Sequence, residues 1–136
     1  MAMLTITKEF RFDAAHKLFL KDLTDQENRE AFGKCSQLHG HTYCLRITIT
    51  GKVQPNGMVL NFTDLKQIVE EKIIARYDHS HLNELEEYRD LPTTAENMSL
   101  YIFKVLAACL KKQKVTLTEV QLYETPTSWA TVSHDA

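Results

Sequence analysis

Apolar and polar side chains alternate along several short segments of the chain, a pattern typical of strands with one buried face. In the first segment, apolar residues from Leu4 to Phe12 share one phase and polar residues share the other. The pattern predicts four strands, which lie from Leu4 to Asp13, from about Thr42 to Val53, from Val115 to Glu124 and around Trp129 to Val132. The residues between His16 and Cys35 are predicted to form a long polar loop, and loops of this length usually have a function.

Two other segments carry apolar residues at helical spacing. The first runs from about Thr63 to Tyr77, with Asn61 or Thr63 available as N-cap. The second follows Pro92, where Thr93 and Glu96 have the spacing of a capping box. The order ββααββ predicts an α+β fold for one domain spanning residues 1–136, with an antiparallel four-stranded sheet that carries both helices on one face.

Composition narrows the class of protein. The 136 residues include 43% hydrophobic and 25% charged residues, which is ordinary for a globular domain, and the net charge of -2 does not suggest a nucleic-acid partner. No apolar run approaches the ~20 residues that span a bilayer, and the first residues lack the pattern of a signal peptide. We therefore expect a cytoplasmic protein with no membrane partner, in which three widely spaced cysteines are reduced thiols.

Two histidines open the second predicted strand. His39 and His41 are two residues apart, so both project from the same face of an extended chain. Gly40 between them is expected to remove side-chain bulk where the backbone approaches an ion. His16 ends the first strand, and its ring converges with the other two if the strands are neighbours. Three neutral imidazoles with an open fourth position are typical of catalytic zinc, so we predict a Zn²⁺ site rather than a chance group of core or solvated histidines.

Cys35 lies just before these histidines and has two interpretations. It could be the fourth ligand of a closed, structural zinc site, because three residues separate it from His39. Alternatively it stays off the metal, is drawn toward thiolate by the cation and by Lys34, and serves as base or nucleophile. Cys44 is on the opposite phase from the histidines and is predicted to be a small buried side chain.

Two carboxylates outside the histidine group are further candidates. Asp78 could hold the adjacent His79 in the tautomer that suits proton transfer, although the pair could equally mark a helix C-terminus that Asn83 ends. His81 is expected to be solvated or structural. Glu124, at the end of a strand, is either simply exposed or accepts paired N–H bonds from a purine-like or pterin-like ring.

A series of motifs in the same order along nearly the whole chain resembles the family of 6-pyruvoyltetrahydropterin and 6-carboxytetrahydropterin synthases. The motifs are Phe12-Asp13-Ala14-Ala15-His16, Cys35 to His41, Gly57-Met58-Val59, Asp78-His79 with Leu82-Asn83, Thr94-Ala95-Glu96-Asn97 and Tyr123-Glu124-Thr125. The resemblance implies the tunnelling fold, in which trimers close their sheets into a barrel and two trimers stack into a homohexamer with active sites between subunits.

The resemblance also implies a role for each site residue. His16, His39 and His41 are the implied zinc ligands, and Cys35 is the catalytic thiol. Asp78 and His79 form the implied catalytic dyad, while Glu124, with Thr94 as an addition to the pocket, binds the pterin.

The implied substrate is 7,8-dihydroneopterin triphosphate, and the redox change is internal to it, so no nicotinamide or flavin is expected. The spacing of Cys35 and His39 resembles the 6-carboxy branch of queuosine biosynthesis, which releases acetaldehyde and triphosphate. The long loop ending at Cys35 and the residue Asn61 resemble the 6-pyruvoyl branch instead. We give the spacing more weight, because it places the thiol relative to zinc, and predict a 6-carboxy-5,6,7,8-tetrahydropterin synthase.

Two hypotheses from other classes remain open. One is a non-catalytic zinc module in which Cys35 completes the metal site. The other is a protein that binds a pterin or purine without turnover.

Overall fold

The computed structural model describes residues 2–134. Its strands are β1 (Ile6–His16), β2 (His39–Thr50), β3 (Ser80–His81), β4 (Thr116–Thr125) and β5 (Ser128–Ser133). Its α-helices are α1 (Asp25–Phe32), α2 (Phe62–Val69), α3 (Ala75–Tyr77) and α4 (Ala95–Lys111). A π-helical turn, Glu70–Ile74, connects α2 to α3, and short 3₁₀ turns lie at Gly33–Ser36, Leu82–Glu84 and Glu86–Tyr88. No helix in the described part of the chain has both the length and the apolar character needed to cross a membrane.

The strands form one sheet in the order β3-β1-β2-β4-β5. Neighbouring strands are antiparallel except at β3, where Ser80 and His81 pair in parallel with Ala14 and Ala15. The α+β prediction is confirmed, but the sheet is mixed and has five strands among the described residues rather than four antiparallel ones. The extra strand is two residues long, too short for any alternation of apolar and polar positions to mark it.

One face of the sheet packs against the helices and forms the core. The Phe12 and Tyr43 rings, from β1 and β2, stack with centroids 4.9 Å apart. The apolar stripe predicted for the last helix is confirmed, since Met98, Ile102 and Leu106 of α4 are fully buried. The buried phase of β2 therefore sets the side of the sheet on which His39 and His41 lie.

Several predicted boundaries and loops are wrong. The long polar loop contains α1, which Thr24 opens with a capping box. Asn28 of this helix is buried, and its side-chain Oδ1 accepts a hydrogen bond from the Leu20 backbone N–H at 2.8 Å. A helix with so few apolar residues gives no helical hydrophobic pattern, which is why the sequence predicts a loop here. The strand β2 also begins earlier than predicted, at His39, and ends at Thr50.

The caps of the two longer helical segments differ in how well they match the prediction. Asn61 caps α2 as expected, since its side chain accepts a hydrogen bond from Thr63 N at 2.8 Å. The α4 helix starts one residue later than predicted, because Thr94 Oγ1 rather than Thr93 Oγ1 accepts the capping bond, from Asn97 N. Thr93 is fully buried and bonds a histidine instead.

Candidate active site

The pairing of β1 with β2 brings three histidines together. His16 lies opposite His39, and Ala14 lies opposite His41. The three ring centroids are 4.6 to 5.2 Å apart, and the ligand nitrogens all lie within 4.8 Å of one another. Because both strands belong to the core sheet, their register fixes this geometry.

Two of these rings have their tautomers set by backbone carbonyls. The Nδ1 of His16 lies 2.9 Å from the carbonyl oxygen of Thr93, and the Nδ1 of His39 lies 2.7 Å from that of Gln37. A carbonyl only accepts hydrogen bonds, so we infer that Nδ1 carries the proton in both rings and that Nε2 keeps its lone pair. The second nitrogen of each ring is therefore ready to bind a cation.

The Nε2 atoms of His16, His39 and His41 are all buried and have no hydrogen-bond partner. A buried polar atom without a partner costs stability, and each such atom in a native protein calls for an explanation. Three imidazole nitrogens that converge on one point are a donor set that suits Zn²⁺. The residues present thus fit a metal ion of this kind.

Burial also keeps these rings neutral. Removal from water lowers the pKa of His16 to about 4, against the opposing effect of its bond to the Thr93 carbonyl. Burial lowers the pKa of His41 as well, and the nearby Glu124 carboxylate opposes that shift. A ring must be neutral to ligate a metal, so both shifts favour metal binding at neutral pH.

Glu124 reaches the edge of this histidine group. Its Oε1 lies 3.3 Å from the Nε2 of His41, but the two atoms do not form a hydrogen bond, so this nitrogen has no hydrogen-bond partner. The pairing of β4 with β5 is irregular between Tyr123 and Thr125, which places Glu124 at a bulge. Bulges often redirect a side chain near a functional site. The carboxylate contacts one histidine of the group and is not itself part of the cluster.

Cys35 lies in the 3₁₀ turn before β2, and its carbonyl accepts a hydrogen bond from Leu18 N at 2.7 Å. The thiol is free and half-buried. Its sulfur is not in the group of ligand atoms that His16, His39 and His41 form within 4.8 Å. The closed site with Cys35 as fourth ligand is therefore not formed by this geometry.

Asp78 and His79 form a close pair after α3. The Asp78 Oδ1 lies 3.0 Å from the Nδ1 of His79 and accepts a hydrogen bond from Asp13 N at 2.9 Å. That backbone bond is the main reason why the pKa of Asp78 lies below its usual range. His79 has a φ of 60° and donates its own N–H to the Asp13 carbonyl. This left-handed turn allows two adjacent residues to face each other, which a helix would not.

Two cavities adjoin His41, one next to His79 and one next to Glu124. His41 and His79 line the same open hollow of about 480 Å³, together with Asp13 and Thr42. A second cavity, of about 500 Å³, is lined by His41 and Glu124 among other residues. One histidine of the cluster, His41, thus borders both cavities.

Other candidate residues have different surroundings from those expected. Thr94 is half-buried and caps α4. Cys44 is half-buried rather than buried, and burial raises the pKa of its thiol.

His81 pairs with β1, its Nδ1 lies 3.3 Å from Glu84 and its Nε2 is buried without a hydrogen-bond partner, so it is not simply solvated. Asn83 does not end α3, which stops at Tyr77; it lies within the 3₁₀ turn Leu82–Glu84, and its side chain bonds both backbone groups of Lys17.

Thr93 is the functional candidate that the sequence does not reveal. Its contact with His16 joins residues that are 77 positions apart. The one signal in the sequence is the pair of threonines after Pro92, only one of which can be the helix cap.

The family model described as 6-pyruvoyl tetrahydropterin synthase matches residues 5–135. The chain belongs to this family. Among its relatives, the 6-pyruvoyl tetrahydrobiopterin synthase of Drosophila melanogaster is 41% identical, over 89% of this chain and 74% of that protein. The 6-carboxy-5,6,7,8-tetrahydropterin synthase of Haemophilus influenzae is 33% identical, over 93% of this chain and 96% of that protein.

A solved structure of the 6-pyruvoyl tetrahydropterin synthase family has the same fold. The Caenorhabditis elegans 6-pyruvoyl tetrahydropterin synthase matches with a TM-score of 0.89 and 32% identity, over 99% of this chain and 98% of that one. The resemblance inferred from the sequence motifs is thus confirmed at the level of family and fold. Membership in the family makes the protein a lyase of pterin biosynthesis.

Proposed function

We propose that the protein is a zinc-dependent lyase that converts 7,8-dihydroneopterin triphosphate to 6-carboxy-5,6,7,8-tetrahydropterin, acetaldehyde and triphosphate, as in queuosine biosynthesis in the cytoplasm. The observation that carries the proposal is the set of three buried, unpaired Nε2 atoms of His16, His39 and His41. It is the donor set that suits a catalytic zinc ion.

His16, His39 and His41 would hold the zinc ion. Zinc bound there supplies a Lewis acid that makes a substrate hydroxyl more acidic. The remaining tasks belong to side chains of this chain, which bind the pterin and move protons.

Glu124 is the proposed anchor of the pterin. A carboxylate can accept two parallel N–H bonds from the amide and amino groups of such a ring, and a ring without them leaves it unpaired. Its 3.3 Å contact with the Nε2 of His41 supports this role, because a ring anchored by Glu124 would lie next to the metal cluster. Thr94 is proposed as a second contact with the ring.

Cys35 and the Asp78–His79 pair are the proposed proton-transfer groups. Asp78 accepts a bond from Asp13 N, which favours its charged form, and the charged carboxylate holds the Nδ1 proton of His79. The Nε2 of His79 is then free to exchange a proton with substrate, while the Cys35 thiolate removes one from carbon. The overall change consumes one water and needs no external oxidant or reductant, because the dihydropterin ring takes up the electrons that the side chain loses.

The second candidate is a 6-pyruvoyltetrahydropterin synthase, which eliminates triphosphate without cleaving the side chain. The relatives favour it, because the proteins with 41%, 38% and 38% identity are named 6-pyruvoyl tetrahydrobiopterin synthases. The spacing of Cys35 and His39, which resembles the 6-carboxy branch, is the reason why we place the carboxy product first.

Mass spectrometry of the product tests the proposal. Incubation of the zinc-loaded protein with 7,8-dihydroneopterin triphosphate is expected to give 6-carboxytetrahydropterin and acetaldehyde. Recovery of the pyruvoyl product without acetaldehyde would establish the second candidate. Substrate binding without release of triphosphate would instead leave a pterin-binding protein, and a zinc–sulfur distance of ~2.3 Å in X-ray absorption would indicate the structural zinc module.

We also propose that copies of the chain assemble into trimers and that two trimers form a hexamer. Within the described residues, the outer edge of β5 is unpaired and β1 is covered by β3 only at Ala14 and Ala15. Such edges readily pair with another strand, and edge-to-edge pairing among three copies would close the sheet into a barrel. Sedimentation velocity is expected to give the mass of six chains, and a monomer at micromolar concentration would contradict the proposal.

A further inference from the structure

We propose that Thr93 is a positioning residue for the metal ligand His16 and acts through its side-chain hydroxyl as well as its backbone carbonyl. The inference rests on the metal-binding part of the proposed function and not on turnover. Both residues are completely buried, so their contact is shielded from water.

Two oxygens of Thr93 face the same nitrogen. The carbonyl oxygen lies 2.9 Å and the hydroxyl oxygen 3.1 Å from the Nδ1 of His16. The Tyr43 hydroxyl oxygen is farther away, at 3.5 Å, so Thr93 supplies the two nearest acceptors and restricts both the tautomer and the rotation of the ring. A ligand ring that is held in this way presents its Nε2 in one direction.

The hydroxyl of Thr93 is itself oriented by its neighbours. Asn83 Nδ2 lies 3.4 Å from this oxygen, and the oxygen lies 3.5 Å from the carbonyl of Lys17. A hydroxyl has one proton to donate and two lone pairs. When the hydroxyl proton points to the Lys17 carbonyl, the two lone pairs accept from Asn83 and His16. The Thr93 hydroxyl then makes every hydrogen bond that it can make.

The Asn83 side chain ties the same group to β1. Its Oδ1 accepts from Lys17 N at 2.8 Å, and its Nδ2 donates to Lys17 O at 2.9 Å. Lys17 directly follows His16, so Asn83 fixes the backbone of the ligand while Thr93 fixes its ring. These two residues lie near the two ends of the irregular segment between β3 and α4.

That segment is held firmly against the helical layer. Arg76 donates two hydrogen bonds to the Glu87 carboxylate, which is 5% exposed, and the hydroxyls of Tyr77 and Tyr88 lie 2.7 Å apart. A charge-assisted pair with a buried carboxylate resists displacement, because opening it would leave that carboxylate without a partner. The position of Thr93 relative to His16 is thus set by the fold.

Thr93→Val tests the inference, because valine keeps the backbone carbonyl and the shape of the side chain but lacks the hydroxyl. Loss of a contact of this kind typically weakens metal binding 10–100-fold, and with the carbonyl retained we expect about tenfold weaker zinc binding in competition with a chromogenic chelator. Thr93→Ser keeps the hydroxyl and is expected to bind zinc about as tightly as the unmodified protein.

Ser99→Ala is the matched control. Ser99 is also fully buried, and its hydroxyl donates to the Ala95 carbonyl within α4 at 2.6 Å, away from the metal cluster. This variant removes a buried hydroxyl without touching His16, so its zinc affinity is expected to remain unchanged. An equal loss of affinity in Ser99→Ala would overturn the inference, because the effect would then be one of general packing.

Long-range ¹H–¹⁵N spectra of the metal-free protein give a second readout. They are expected to show the Nδ1-protonated tautomer of His16 in both proteins, because the carbonyl is retained, but a broader and faster-exchanging Nδ1–H signal in Thr93→Val, or in Thr93→Ala if the valine variant does not fold. Unchanged affinity and an unchanged Nδ1–H signal would overturn the inference, as would an unmodified protein that binds no zinc. If that protein binds zinc but releases no triphosphate, only the proposed enzyme function fails.

Discussion

The two histidine-containing groups of this protein are built in opposite ways. His16, His39 and His41 project from long core strands, and the pairing of those strands places the rings. Asp78 and His79 lie on a short turn outside the core, where a left-handed residue places them face to face, and the His79 side chain is 79% exposed. The first group is thus a product of the whole fold, whereas the second depends on a few local bonds to Asp13.

Their electrostatics differ in the same way. Burial lowers the pKa of His16 and holds the ring neutral, as a metal ligand must be. The Asp13 backbone N–H lowers the pKa of Asp78 and holds that carboxylate charged, as the partner of a proton-transfer histidine must be. The metal cluster thus keeps His16 neutral by burying it, whereas the dyad keeps Asp78 charged through a hydrogen bond at a position that contacts water.

The largest expected effect comes from breaking the buried group. His39→Ala removes one of three ligands, so we expect loss of zinc and of all activity, measured by metal analysis and triphosphate release. Cys35→Ala is the matched control, because the thiol is outside the ligand group, and it is expected to keep zinc and lose activity. Equal loss of zinc in the two variants would contradict this division of roles.

A change in the exposed pair should separate catalysis from metal binding. Asp78→Asn keeps an oxygen that can accept from Asp13 N but no longer holds His79 as a charged partner. We expect turnover to fall ~10²- to 10⁴-fold, the usual contribution of a positioned acid or base, with full zinc content and an unchanged melting temperature. Zinc loss in this variant would show that the two groups are not independent.

The metal-free protein should lose stability in acid because of His16. Its pKa is about 4 in the folded protein and about 6.5 in an unfolded chain. The unfolded state therefore binds the proton first, so the contribution of His16 to the free energy of unfolding falls by about 3 kcal/mol as pH decreases from about 6.5 to about 4, and the lowered pKa of His41 acts in the same direction.

Urea denaturation at a series of pH values, with a chelator present, measures this change. His16→Gln is expected to flatten the curve in this window, while Ser99→Ala, which removes no titratable group, should leave it as in the unmodified protein. The same pH dependence in all three proteins would rule out His16 as its source.

The smallest effect is expected at Gly40. The sequence suggested that this glycine leaves room for an ion, but Gly40 is exposed, and a Cβ there would meet only the Ala14 carbonyl, at an ordinary 3.6 Å. It alternates with His39 and His41, so its side chain would project to the other face. Gly40→Ala should change zinc affinity less than about twofold, and a larger loss would show that strand register alone does not set the cluster.

The metal cluster could be predicted because its cause is periodic. Alternation in the first two strands places His16, His39 and His41 on the buried face, and neighbouring strands then bring them together. The core stripe of α4 follows from the same kind of regularity, which is why the general architecture could also be predicted.

What the sequence could not show depends on contacts between distant residues. The bond from His16 to Thr93 and the pairing of β3 with β1 leave no periodic pattern in either partner. The approach of Glu124 to His41 depends on a bulge, which shifts the strand register by a single residue. The helix α1 has few apolar residues and is held by the side chain of Asn28 instead.

The position of the ligands at the two ends of one connection has a consequence for folding. His16 is the last residue of β1 and His39 the first of β2, so α1 and Cys35 lie within the loop that these two histidines close. An ion bound to both acts as a cross-link that keeps the two ends of this loop together in the folded protein and limits its local opening. Removal of the metal should therefore increase hydrogen exchange first in α1 and around Cys35, and leave the centre of the sheet protected.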